Sequence, residues 1–177
     1  MKYPATPPSR SLISEILVDI QRNERDPAHK QAMVMLMYRC GLRVSEMLAL
    51  TCADIFSNHI LVRNGKGGKS RRVAMDDVVK QFIDPLMPCN GYLFSTRGGA
   101  SVPPQRVREM CARIQGRLGC HRIAPHQFRH AHASELAREG CLPHLIQRQL
   151  GHSSLAVTDN YLRSIGDEHI DAIASRK

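Results

Sequence analysis

Apolar side chains recur at helical spacing near the start of the chain. Leu12, Ile13, Ile16, Leu17 and Ile20 share one face and predict a helix over residues 11–21. Asp26 then stands as an N-cap with Pro27 at the first helical position. The helix that follows carries Met33, Leu36 and Met37 and stops at Gly41, a residue suited to a left-handed terminator. Met33, Met35 and Met37 read as core packing. A short helix over residues 44–50 comes next. The pattern then switches to short runs, HILVR at 59–63 and RRVAM at 71–75, which read as two strands. They flank NGKGGKS at 64–70, whose glycines permit the turn of an antiparallel hairpin. Asp76 caps a short helix to Phe82, and Asn90-Gly91 and Gly98-Gly99 mark loops. Helical patterns return at 104–118, 125–138, 143–150, 154–162 and 167–174, with Gly140 and Gly151 where stops are expected. The fold class is mainly α with a small antiparallel β-hairpin or sheet. Residues 1–10, with three prolines, read as a flexible lead-in, and residues 11–177 as a single domain.

A length of 177 residues suits one domain able to bury its own core. The longest uncharged apolar stretch, residues 32–38, is far short of a membrane span of about 20 residues. The start, MKYPATPPSR, lacks the apolar centre of a signal peptide. The six cysteines are scattered without a CxxC pair, so reduced thiols and a cytoplasmic location are expected. Neither a GxxxxGK[ST] loop nor a GxGxxG turn signals a nucleotide site. Charge changes the picture most. Lys plus Arg number 25 against 16 Asp plus Glu, a net charge of +9. That excess favours an anionic partner, nucleic acid ahead of a membrane surface. No cationic amphipathic helix supports the membrane option.

Four segments concentrate cationic, imidazole and phenol groups: GLRVSE at 41–46, GKGGK at 65–69, HQFRH at 126–130, and LGHS at 150–153 followed by Tyr161. Arg43 opens a helix, where the macrodipole disfavours a cation. It either awaits a phosphate or pairs with Glu46, three residues along. Lys66 and Lys69 lie on a glycine-rich tip, either solvated or held near a phosphodiester. His126 and Arg129 share a face at a helix start. A guanidinium grips phosphate oxygens in pairs, and an imidazole moves protons near neutral pH. His130 and His132 raise a metal reading, but no HExxH or CxxC pattern accompanies them and no metal site is expected.

In order and spacing, the four segments resemble the tyrosine recombinase, or phage integrase, family. The likeness is to its C-terminal catalytic domain and runs from about residue 10 to the end. GLRVSEMLAL resembles the first arginine box, GKGGKSRRVAM the hairpin with the catalytic lysine, HQFRHAHASEL the His-x-x-Arg box, and LGHSSLAVTDNY the His and nucleophile box. The resemblance implies a site-specific DNA recombinase. Tyr161 would attack a scissile phosphate to give a 3′-phosphotyrosine and a free 5′-hydroxyl. Arg43 and Arg129 would hold the non-bridging oxygens, and Lys66 would protonate the leaving oxygen. His126 would assist proton transfer and His152 would donate a hydrogen bond to the phosphate. Lys69, Arg71, Arg72 and His130 are expected to contact DNA. No metal or other cofactor and no small-molecule substrate are expected. The implied partners are double-stranded DNA and other copies of the chain in a tetramer.

The family usually carries a further N-terminal helical domain, which the residues before Arg43 do not resemble. The chain thus reads as a fragment or as a minimal recombinase. Two rivals stay open: a type IB topoisomerase-like relaxing activity, and a non-cleaving DNA-binding regulator on the same scaffold. The central expectation is spatial: Arg43, Arg129 and His152 must reach one shared anion.

Overall fold

Residues 32–38 are buried at every position, so the helix that contains them faces protein on all sides. This helix, α2 (Pro27–Arg39), is the axis of the molecule. Around it pack α1 (Arg10–Asn23), α3 (Val44–Leu48), α4 (Asp77–Ile83) and α6 (Pro125–Arg138). The computed structural model describes residues 7–63, 70–88, 91–120 and 123–151. α5 (Pro104–Leu118) lies against α1, α3 and α6, and α7 (Pro143–Leu150) against α6. Leu36 and Met37, both fully buried, each contribute about 2 kcal/mol of transfer free energy.

The remaining elements are two short 3-10 turns, Cys52–Asp54 and Asp84–Leu86, and one antiparallel pair. Strand β1 (His59–Val62) pairs with β2 (Arg71–Ala74) in the register Ile60↔Val73 and Val62↔Arg71. Ile60, Val62 and Val73 are buried and face the core. Side chains alternate along a strand, so Arg71 shares the inward face of Val73 while Arg72 points outward and is exposed. α7 packs on β2, which brings the end of that helix to Arg71.

The predicted mainly helical fold with one small antiparallel sheet is the observed one. α5, α6 and α7 span the predicted residues, and Met33, Met35 and Met37 are buried. Differences are local. α1 starts at Arg10, with Ser9 Oγ accepting the Leu12 N–H, so the lead-in ends earlier than residue 10. Asp26 precedes α2 as expected, but its carboxylate takes His29 Nδ1 at 2.8 Å and makes no cap bond. Cys52 is disulfide-bonded, which corrects the expectation of reduced thiols. That expectation rested on local spacing, and a pairing made by the fold leaves no such trace. Cys40, Cys111, Cys120 and Cys141 are free. Among the described residues no helix is long and apolar enough to cross a membrane. The expected loop lysines Lys66 and Lys69, the helices at 154–162 and 167–174, His152 and Tyr161 lie outside the described residues.

A candidate phosphate-binding cleft

Three helix starts meet at one open cleft of about 540 Å³. Leu42 to Ser45 enter it from the beginning of α3, Pro104 and Arg108 from α5, and Ala124 to His126 from α6. Gly41 makes the first entry possible. Its φ of +65° turns the chain sharply between α2 and α3. The starts of α5 and α6 both open on this cleft, and helix starts attract anions. Arg43, His126 and Arg129 all line this cleft, together with Arg108, Ala112 and Gln115, which recur along one face of α5.

Arg129 is 4% exposed, an unusual degree of burial for a guanidinium. Its Nη1 donates to the Gly41 carbonyl at 2.5 Å and its Nη2 to the Leu150 carbonyl at 2.6 Å. α6 therefore ties the α2–α3 turn to the end of α7. Arg43 is more open, with 26% of its side chain exposed. Its Nη1 donates to Glu46 Oε1 at 2.7 Å, and its Nη2 lies 3.5 Å from the Gly151 carbonyl. The two arginines thus reach adjacent carbonyls, those of Leu150 and Gly151, and His152 follows them in the sequence.

Glu46 organises the cluster. It is 6% exposed, and its Oε2 also accepts the Arg43 backbone N–H at 2.9 Å. Arg71 donates to both of its oxygens, Nη1 to Oε1 at 2.8 Å and Nη2 to Oε2 at 2.9 Å. Arg129 Nη1 stands 4.0 Å from Oε2. Burial alone would raise the carboxyl, but the bonds from Arg71 and Arg43 win and lower it to about 2. One carboxylate thus stands among three guanidinium groups, and two of these, Arg43 and Arg129, line the cleft.

The predicted residues fall into groups. Arg43, His126 and Arg129 come together at the cleft. Arg43 also makes the Glu46 pair that the sequence left as its alternative. Arg72 is exposed on the outer face of β2. Arg71 differs from the expectation of a DNA-facing side chain, because its guanidinium is committed to Glu46 and to the Gln149 carbonyl. His130 is half-buried, and burial followed by the neighbouring His126 and Arg129 lowers its pKa. Among the described residues no group of three His, Cys, Asp or Glu side chains could hold a metal ion. Sequence reasoning missed the hub role of Glu46 and the inward turn of Arg71. The second was readable from strand alternation, since Arg71 stands two residues before the apolar Val73.

The sequence matches the phage integrase family over residues 13–167. It is 32% identical over 171 residues to tyrosine recombinase XerA of Pyrococcus furiosus, covering 92% of this chain and 59% of that protein. Identity to tyrosine recombinase XerD of Vibrio vulnificus is 33% over 185 residues, covering 93% and 59% respectively. The chain therefore spans little more than half the length of these curated relatives. Its fold is similar to the crystal structure of XerA recombinase, with a TM-score of 0.82 at 22% identity, covering 100% of this chain and 66% of that one. It is also similar to XerH site-specific recombinase bound to its palindromic difH substrate in a post-cleavage complex. There the TM-score is 0.78 at 22% identity, covering 96% of this chain and 53% of that one. From the family match and these identities, the chain belongs to the phage integrase family.

Proposed function

We propose that the chain is the DNA-cleaving and rejoining part of a site-specific tyrosine recombinase. The observation that carries the reading is the convergence of Arg43, Arg129 and His126 on one cleft, with Arg43 and Arg129 tied to the C-terminal end of α7 at Gly151 and Leu150. Guanidinium groups already held by protein acceptors, Arg43 by Glu46 and Arg129 by the Gly41 and Leu150 carbonyls, need little reorganisation when a phosphate arrives, the condition under which electrostatic stabilisation is strongest.

The chemistry follows from the groups. The Tyr161 oxygen attacks phosphorus while the bond to the 5′-oxygen breaks, and the enzyme is left joined to the 3′-phosphate. A free phenol has a pKa of about 10, so the attack needs positive charge close by and an acceptor for its proton. His126 is the acceptor in this reading. Arg43 and Arg129 offset the charge that builds on the non-bridging oxygens, with His152 donating to one of them. Lys66 protonates the departing 5′-oxygen. One ester replaces another, so the strand can be resealed by the reverse step without an energy source. Lys69, Arg72 and His130 supply contacts to duplex DNA. Exchange between two duplexes calls for four copies of the chain, and the work belongs where DNA is, in the cytoplasm.

A suicide duplex nicked beside the cleavage site tests the reading. The expected result is a covalent protein–DNA band that persists in EDTA and disappears in Tyr161→Phe. A band that survives in Tyr161→Phe removes the nucleophile assignment. Binding without any band favours a regulator, and supercoil relaxation by isolated protein without paired sites favours a topoisomerase.

A further inference from the structure

Arg71 is the arginine of the cluster that does not line the cleft. Strand alternation turns it inward, where only 13% of its side chain is exposed. Its donors are directed to protein acceptors: Nη1 and Nη2 to the two oxygens of Glu46, and Nε to the Gln149 carbonyl at 3.2 Å. The fit over it is close. Gly151 has φ +66°, and a Cβ there would sit 2.8 Å from Arg71 Nε and 2.9 Å from its Cζ. Gly151 thus lies directly against the guanidinium, with no room for a side chain between them.

We infer that Arg71 is a positioning residue for the phosphoryl-transfer step, which holds Glu46 so that Arg43 is aimed at the cleft and fixes the exit of α7 beside it. The inference rests on the cleavage reading above. A carboxylate that lost the Arg71 fork would keep only the two bonds from Arg43 and could swing about its own side chain. Arg43 would lose its fixed direction with it. The balance of charge would change too. With Arg71 present, the Glu46 charge is already matched, so the carboxylate draws less on Arg43 and Arg129. Without it, a buried carboxylate competes with the phosphate for the same two arginines. The Nε bond adds a third effect, because it anchors Gln149 two residues before Gly151, whose carbonyl Arg43 approaches. Arg71 joins β2, the start of α3 and the end of α7 at one guanidinium. A lysine cannot replace this fork geometry.

The experiment compares the full chain with Arg71→Ala and Arg71→Lys on the nicked duplex, measuring DNA affinity, its salt dependence and the single-turnover rate of covalent-complex formation at saturating DNA. Expected is a rate loss of about a hundredfold in Arg71→Ala, the size associated with misplacement by about 1 Å. Its Kd and salt slope should stay within about twofold of the parent protein, unlike a lost phosphate contact. Arg71→Lys restores charge without the fork and should recover only part of the rate. Added guanidinium ion should rescue Arg71→Ala and have no effect on the parent. A drop in affinity and salt slope with an unchanged saturated rate would make Arg71 a DNA contact and overturn the inference. So would a parent-like rate and affinity in Arg71→Ala.

A parent protein that forms no adduct would instead overturn the cleavage reading. The lock is then read without chemistry, from rotation of the Arg43 guanidinium by nitrogen-15 NMR in the unliganded protein. Slow rotation in the parent and fast rotation in both Arg71 variants supports the lock. Equal rotation in all three ends it. If Arg71→Ala does not fold, the same comparison is made with Arg71→Lys.

Discussion

The Arg71 guanidinium meets the Glu46 carboxylate fork to fork, Nη1 2.8 Å from Oε1 and Nη2 2.9 Å from Oε2. This pair comes from residues 25 positions apart in the chain. Its consequence for stability is direct. Replacing Glu46 by Ala leaves three guanidinium groups near one another without their shared counter-charge, two of them largely buried. Removing one partner of a buried pair costs about 3–5 kcal/mol. We expect Glu46→Ala to lose stability in that range by urea unfolding and Glu46→Gln to lose less, because an amide oxygen still accepts one donor. A Glu46→Ala loss below about 1 kcal/mol would show that the cluster is held from elsewhere.

The same carboxylate makes stability depend on acid. Its folded pKa is about 2 against an ordinary 4.5, so it holds the charged form longer when folded. The contribution is complete above about pH 4.5 and is lost as pH falls toward 2, with a size on the order of 3 kcal/mol. In Glu46→Gln that part of the acid-induced loss should vanish. An unchanged acid profile in the variant would assign the loss to other carboxylates.

Gly41 offers a second test, because it combines a turn with a close approach. A Cβ at Gly41 would stand 2.6 Å from His132 Cδ2 and 2.7 Å from Leu150 Cδ2, on a residue with φ +65°. Gly99 has φ +78° with nothing within 4 Å of its Cβ position. Gly99→Ala therefore measures backbone strain alone, about 1 kcal/mol. Gly41→Ala should cost about 2–3 kcal/mol more, the price of overpacking. Because the Gly41 carbonyl also accepts Arg129, the Gly41 variant should lose cleavage as well. Equal melting shifts in the two variants would mean that the α6–α7 contact yields easily.

Much of this fold is legible in the sequence because its signals are local. Pro125 and Pro143 mark helix starts, Gly151 supplies a left-handed stop, and the apolar positions of α1 repeat at helical spacing. The gathering of Arg43, His126 and Arg129 was legible only through the resemblance of their segments to a family, since nothing local ties residue 43 to residue 129. The Glu46 hub was half legible. Its spacing from Arg43 predicts an ion pair, but its bond to Arg71 joins residues 25 positions apart and depends on the tertiary fold. The burial of His132 had no sequence signal, for a histidine on a helix gives no sign of which side it faces.

Arg72 separates the two neighbouring arginines by function. It projects from the outer face of β2 and is exposed, whereas Arg71 is turned inward. If duplex DNA covers that face, Arg72→Ala should reduce the salt slope of DNA binding by about 1 and weaken binding to all sequences alike. Filter binding across a salt series measures both. An unchanged slope would place the DNA path away from β2.

His132 supplies a pH signature of a different sign from that of Glu46. Its ring is 6% exposed, and its Nε2 has no hydrogen-bond partner among the described residues. Burial first, then Arg39 and Arg129, push its pKa down to about 4, while Glu135 and Asp76 pull weakly the other way. The folded protein thus keeps this imidazole neutral at pH values where an unfolded chain, with its ordinary value of 6.5, takes up a proton. Stability should fall as pH drops from about 6.5 to about 4 and level off below, by an amount on the order of 3 kcal/mol. Replacing His132 by Leu removes the titrating ring and the buried nitrogen without a partner. The variant should match or exceed the parent at pH 7, and its advantage should grow steadily toward pH 4 in urea unfolding. A constant difference between the two proteins over that range would mean that the ring reaches solvent or a proton acceptor. The neutral imidazole could then not be a fixed part of the packing under Gly41.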